Sequence, residues 1–162
     1  MATIGPDVYS DFVKTLLDAE ASRKTSIESK GAAVITTSSA LVTILFGLVA
    51  VVTSRTTFKL PVSAHGWLVA AIVAFVVAAA TAILVSFPLP YGQTTVTIDD
   101  LRSWWGDSVP EAEAAVSGLR LRALTAARRT NAVKAGVLCA ACTAELVGLI
   151  LLTVTVVQII TS

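Results

Sequence analysis

The chain has 162 residues, of which 55% are hydrophobic and 14% charged, with a mean hydropathy of +0.80. Soluble domains carry about a quarter charged residues, and here the apolar residues fall in long uncharged blocks, which excludes a water-soluble globule. Twelve basic and eleven acidic residues leave a net charge of +1, unlike a strongly basic nucleic-acid binder, and one histidine with two cysteines is too few for a metal cluster or a disulfide framework.

Residues 1–30 are polar and read as a helix beginning near Pro6, a residue suited to a first helical turn. Val8, Phe12, Leu16 and Ala19 give it an apolar stripe, and Glu20 with Lys24 is a favourable i,i+4 pair. Five acids before the first apolar block argue against a cleaved signal peptide, so the first span is expected to stay as an anchor. That span is placed at 31–53 and the second at 67–87, joined by an external loop, 54–66. Each is long enough for a hydrocarbon core of about 30 Å, which takes roughly 20 helical residues. Lipid offers backbone groups no partners, so the spans must be helices.

Segment 88–134 opens with a Pro/Gly-rich turn, Pro88 to Gly92, followed by a short stretch from Ile98 to Trp105. Ser108 with Glu111 has the form of a capping box. A helix follows from Glu111 to Lys134, with Val116, Leu119, Ala123 and Ala127 on one face, and runs into a third span at 135–160. Ten basic residues flank the N-terminal side of spans one and three, against two in the 54–66 loop. The positive-inside rule then puts the N-terminus and 88–134 in the cytosol and the C-terminus outside. Trp67 and Tyr91 suit interfacial aromatic anchors. The expected fold is an all-α membrane protein: three transmembrane helices, with cytosolic helical extensions before spans one and three.

Glu145 is the most informative polar residue, about 15 Å into the third span at 1.5 Å per residue. A carboxylate there must be protonated, hydrogen-bonded or facing water. Thr43 reaches a similar depth in the parallel first span, so the two are expected to face each other, within or between protomers. The pair either cements the bundle or serves a pore or proton path. Small residues recur at Gly136, Ala140, Ala144 and Gly148, at Ala70, Ala74, Ala78 and Ala82, and along Thr36, Ser39, Thr43 and Gly47, ridges that allow close helix approach.

Arg120, Arg122, Arg128, Arg129 and Lys134 form a basic group with no acid between Ala114 and Lys134. Arg122 and Arg129 share a helical face and can grip a phosphate, although basic residues just cytosolic of a span are what the positive-inside rule and anionic lipids select on their own. Cys139 and Cys142 lack the further ligands of a zinc site and read as small packing residues. His65 has no acid near it in the 54–66 loop, so no hydrolase triad can be drawn. The glycines form no phosphate-binding motif, and the adjacent Trp104 and Trp105 read as interfacial or packing residues. No catalytic set emerges, and an enzyme is not expected.

Arg23 to Leu41 (RKTSIESKGAAVITTSSAL) and Arg120 to Leu138 (RLRALTAARRTNAVKAGVL) each lead a polar helix into a span. This layout resembles the transmembrane effectors of Pycsar, a bacterial nucleotide-activated anti-phage system. The likeness covers most of the chain and rests on architecture and a few polar positions. It implies a partner cyclase making cyclic CMP or cyclic UMP on infection, and an effector that impairs the inner membrane and kills the cell before phage mature. It transfers no catalytic residue. Asn131 and Lys134 match its pre-span pattern and join Arg122, Arg128 and Arg129 as candidate ligand positions. The third span and the lack of a familiar cyclic-nucleotide cassette depart from the family. The resemblance thus implies a homo-oligomeric effector in the bilayer with a cyclic pyrimidine mononucleotide as activating ligand, no cofactor and no nucleic-acid partner. The alternatives are an accessory subunit of a membrane complex and a small ion or proton channel using Glu145.

Overall fold

The computed structural model describes residues 6–53, 62–87, 99, 102, 103 and 109–161. Three long helices account for nearly all of them: α1 (Pro6–Thr53), α2 (Val62–Ser86) and α3 (Val109–Thr161). No strand occurs among the described residues. The sequence punctuates these helices with its five prolines. Pro6 opens α1, Pro61 directly precedes α2, Pro88 and Pro90 follow it, and Pro110 lies in the first turn of α3 beside Glu111. Proline is tolerated only where a helix has unpaired N–H groups to spare, and it biases the preceding residue away from helix. Between these points nothing interrupts α1 or α3, which have 48 and 53 residues. All three helices are long and apolar enough to cross a membrane. The chain is an all-helical protein with three candidate membrane spans.

Helix α2 starts at Val62, five residues before the expected span, so Gly66 and His65 are helical and Trp67 sits inside the helix, 42% exposed. The turn at 88–92 with Tyr91, the tryptophans at 104 and 105, Ser108 of the capping box and the 54–61 part of the loop lie outside the described residues.

The chain divides into two compact units: a polar one of residues 1–26 and 88–133, and an apolar one of residues 27–87 and 134–162. In the apolar unit, α1 and α3 run parallel to each other and antiparallel to α2. Ile27, Val34, Leu138 and Ala141 cluster with Ala82 and Val85 near the end of α2, whereas Leu45 clusters with Leu68, Ala71 and Phe75 nearer its start. The buried side of α2 is Ala64, Leu68, Ala71, Phe75, Ala78, Ala82 and Val85, alternating steps of four and three. That is a heptad seam. On α1 the seam continues through Ile27, Gly31, Val34, Ser38 and Leu45, and on α3 through Lys134, Leu138, Ala141, Gly148 and Thr155.

Apolarity does not separate inside from outside in this unit. Alanines and glycines (Gly31, Ala64, Ala71, Ala78, Ala82, Ala141 and Gly148) share the seam with larger residues, while Ile44, Phe46, Val69, Val73, Val76, Val77, Ile83, Leu84, Leu146 and Ile150 are exposed. Lipid is as apolar as leucine, so burial gains little from large side chains and small ones let helices approach. Of the expected ridges, only Ala78 and Ala82 on α2 and Gly148 on α3 are buried; Ala70, Ala74 and Ala144 are half-buried, and Gly136 and Ala140 are exposed. The four-residue ridges counted on α2 and α3 depart from a 3.5-residue seam after one or two turns.

Gly148 is the tightest point. A Cβ there would meet Phe75 ring atoms at 2.9–3.1 Å, and Phe75 is fully buried. Gly148→Ala is therefore expected to destabilise by about 1–2 kcal/mol, overpacking outweighing the helix propensity gained. In a Phe75→Ala background that increment should vanish, as a double-mutant cycle of unfolding in mixed micelles would show.

In the polar unit, Val13 and Leu124 are the buried apolar residues among those described, with Asn131 on the same face of α3 one heptad further. The expected stripe was offset: Phe12 is 60% exposed, Ala19 is exposed, and Leu16 is half-buried. On α3 likewise Ala123 is exposed and Val116, Leu119 and Ala127 are half-buried.

Candidate functional site

Polar side chains join α1 to α3 within each unit. In the polar unit Arg120 Nη1 donates to Ser10 Oγ. One turn before the unit boundary, Asn131 Nδ2 donates to both the backbone carbonyl of Glu20 (2.9 Å) and its Oε2 (2.8 Å). Asn131 is 2% exposed, so both of its amide protons are used where water cannot replace the partner. The other oxygen of Glu20 faces Arg128 at 3.6 Å and Arg23 at 3.9 Å. Both guanidiniums are over half exposed, so these pairs are weak. Glu20 is thus turned toward α3 and Arg23, not toward Lys24 as its spacing along α1 had predicted.

In the apolar unit Lys134 Nζ binds Glu28 Oε1 at 2.6 Å. The lysine side chain is 3% exposed and the glutamate 35%. Deeper along the same helices, Glu145 Oε1 accepts from Thr37 Oγ1 and, at 3.3 Å, from Ser38 Oγ. Ser38 is fully buried, Glu145 half-buried and Thr37 exposed, which places this carboxyl at the edge of the α1–α3 contact. Thr43 is not its partner within the chain. It is exposed and donates to the Ser39 carbonyl of its own helix. Equal depth had been counted from the first uncharged residue of each span, but the helices are set differently. Lys134 lies opposite Glu28, and that register carries Glu145 to Thr37 and Ser38.

The candidate ligand positions therefore separate. Asn131 and Lys134 are buried and spent on α1, and Arg128 leans on Glu20. Arg122 and Arg129 are exposed and have no hydrogen-bond or ion-pair partner among the described residues. At 1.5 Å per residue they sit about 10 Å apart along α3, on the side away from the Leu124–Asn131 seam. Two guanidiniums with no neutralising acid attract phosphate or another anion.

Among the described residues no three His, Cys, Asp or Glu side chains gather where a metal could be held. Cys139 and Cys142 are free and exposed, so they are not the small packing residues expected. His65 is exposed in the first turn of α2.

Glu28, Thr37, Ser38 and Ser10 were not singled out from sequence, and Glu20 only as a partner of Lys24 on its own helix. The signal that places Glu20 against α3 is a repeat of seven: Val13, Glu20, Ile27 and Val34 on α1, matched by Leu124, Asn131, Leu138 and Glu145 on α3. Polar residues occupy repeat positions in both helices, so a search for apolar stripes passes over them.

No protein-family model, curated protein or solved structure matches the chain.

Proposed function

We propose that this chain is a non-enzymatic, ligand-responsive effector of the bacterial inner membrane, acting in an anti-phage system of the Pycsar kind. Its polar unit faces the cytosol, and Arg122 and Arg129 receive an anionic ligand there. The observation that carries the reading is the division of labour along α3. Arg120, Asn131 and Lys134 are committed to α1 and Arg128 leans weakly on Glu20, which leaves Arg122 and Arg129 as the exposed members of the basic group with no acid facing them among the described residues. The nature of the anion, a cyclic pyrimidine mononucleotide from a partner cyclase, comes from the resemblance of residues 23–41 and 120–138 to Pycsar effectors. Homo-oligomerisation is supported by the exposed small residues Thr36, Ala40, Thr43 and Gly47 on α1 and Gly136 and Ala140 on α3, which suit a second helix better than lipid. Ligand binding shifts the chain between a closed bundle and a membrane-disrupting oligomer, by no more than the difference in affinity for the two states.

The test is dye release from vesicles reconstituted with the full chain. Cyclic CMP or cyclic UMP is expected to trigger release at least tenfold above basal leakage. Arg122→Ala with Arg129→Ala should remove the response while leaving the far-UV spectrum unchanged. Leakage that ignores both nucleotide and arginines would refute the gating.

A further inference from the structure

Charge in the polar unit is divided along its length. In residues 9–18 and 109–118, Asp11, Asp18, Glu111 and Glu113 stand against Lys14 alone. In the last two turns of each helix within this unit, 19–26 and 126–133, the balance reverses: Arg23, Lys24, Arg128 and Arg129 against Glu20 give a net charge of +3. All four cations are exposed. Asp18, the next acid along α1, is two residues from Glu20, a spacing that puts it on another face of the helix.

At this basic end two guanidiniums from different helices converge. Arg23 Nη1 and Arg128 Nε lie 3.9 and 3.6 Å from the same oxygen of Glu20. Those distances are longer than a hydrogen bond, so the five N–H donors of each guanidinium are largely unspent. Both arginine side chains are 55% exposed, whereas Glu20 is 13% exposed. Asn131 holds the other oxygen of Glu20 against α3, which fixes the acid as a bridge between the arginines. The three groups together carry a net charge of +1. They suit a singly charged anion with several acceptor oxygens, and a phosphodiester is such an anion, its oxygens matching guanidinium forks. A dianion would bring its second charge against Glu20.

Position selects the source of that phosphodiester. Helices α1 and α3 run without a break from these arginines into their candidate spans. Arg23 is eight residues before the span at 31–53 and Arg128 seven before the one at 135–160, about 12 and 10 Å along each helix. A headgroup layer fills roughly the first 5–7 Å of that distance. The remainder is within reach of an arginine stem and within a Debye length of about 8 Å. We propose that Arg23 and Arg128, bridged by Glu20 and with Lys24 beside them, bind the headgroup of an anionic phospholipid. The lipid ties α1 to α3 from outside, as Asn131 ties them from within. Arg122 and Arg129 lie on the side of α3 away from the seam, so this site is separate from theirs and does not rest on the effector reading.

Spin-labelled lipids test it on the full chain reconstituted in phosphatidylcholine vesicles. Labelled phosphatidylglycerol should be retained at the protein about fivefold over labelled phosphatidylcholine, the factor one basic residue contributes at an anionic surface. Arg23→Gln with Arg128→Gln should cut that ratio by at least half, and Lys14→Gln, towards the other end of the polar unit, should leave it unchanged. Glu20→Gln should raise it, because the repelling charge goes while the amide oxygen still accepts from Asn131; a merely structural bridge gives no such gain. Circular dichroism confirms that each variant is folded. Equal retention of the two lipids by the wild type, an undiminished ratio in the double variant, or a loss that Lys14→Gln matches overturns the proposal. So does loss of the preference when inorganic phosphate or cyclic CMP is added at constant ionic strength, which would make the site one for a soluble phosphate.

Discussion

Glu28→Ala should destabilise the apolar unit by about 3 kcal/mol, the low end of what breaking a buried ion pair costs. The reason is the asymmetry of the pair: Lys134 is 3% exposed and Glu28 is 35% exposed. Removing the carboxylate strands an ammonium that packing has desolvated. Its four-carbon stem lets it reach partway to water, which keeps the cost at the lower end. Lys134→Met has a different outcome. The thioether chain fills nearly the same volume, and Glu28, a third exposed already, turns to solvent. That substitution is expected to change stability by less than about 1 kcal/mol, in line with buried pairs replaced by apolar residues. The double variant should recover most of the Glu28→Ala loss. Unfolding of the full chain in mixed micelles measures all three, and equal costs for the two single variants would contradict the burial argument.

The parts of the fold that are legible in the sequence are those set by backbone chemistry and by lipid. Prolines and uncharged runs mark where helices begin, end and cross, and the start of α1 at Pro6 and the unbroken α3 follow from them. The side-to-side arrangement was harder to read, because in a membrane unit apolarity does not distinguish the seam from the lipid face. Phe12 points out while Val13, beside it, is buried at 2% exposed. The 3.5-residue period resolves that ambiguity only if Glu20, Asn131 and Lys134 are accepted as interior residues. Their burial is tolerated because each meets a partner on the other helix, a pairing that one helix's sequence does not display.

Glu145 shows the same limit at the candidate site. Its depth was readable from span length, and its need for hydrogen bonds from the absence of water. Its partners were not, since Thr37, Ser38, Ser39 and Thr43 all offer hydroxyls within two turns of α1. The Lys134–Glu28 register decides among them. The basic cluster was readable as a group, but which members stay open to a ligand depends on the acids of α1, and these leave Arg122 and Arg129 exposed.

Asn131→Asp carries the largest effect expected in the polar unit, about 3–4 kcal/mol from two lost hydrogen bonds, one of them to a carboxylate. The substitution is nearly isosteric, so the loss reports chemistry rather than packing. Both amide protons that reach Glu20 vanish, and a carboxylate then faces a carbonyl and a second carboxylate. Arg128 and Arg23 moderate the repulsion but sit on the opposite oxygen of Glu20 and are half in solvent. Asn131→Ala should cost less, about 2 kcal/mol, because it leaves the Glu20 oxygens unsatisfied without adding charge. Glu20→Gln placed on Asn131→Asp reverses donor and acceptor, restoring the side-chain bond but not the one to the backbone, so about half the stability should return. Lowering the pH until one carboxyl of the Asp–Glu pair takes a proton has the same sense, since that proton bridges them. Recovery in both cases, with no such response in Asn131→Ala, is the signature of a hydrogen bond that fixes the facing of α1 and α3. Arg122 and Arg129 flank this stretch of α3, so the same variant should also weaken any ligand response that depends on their presentation.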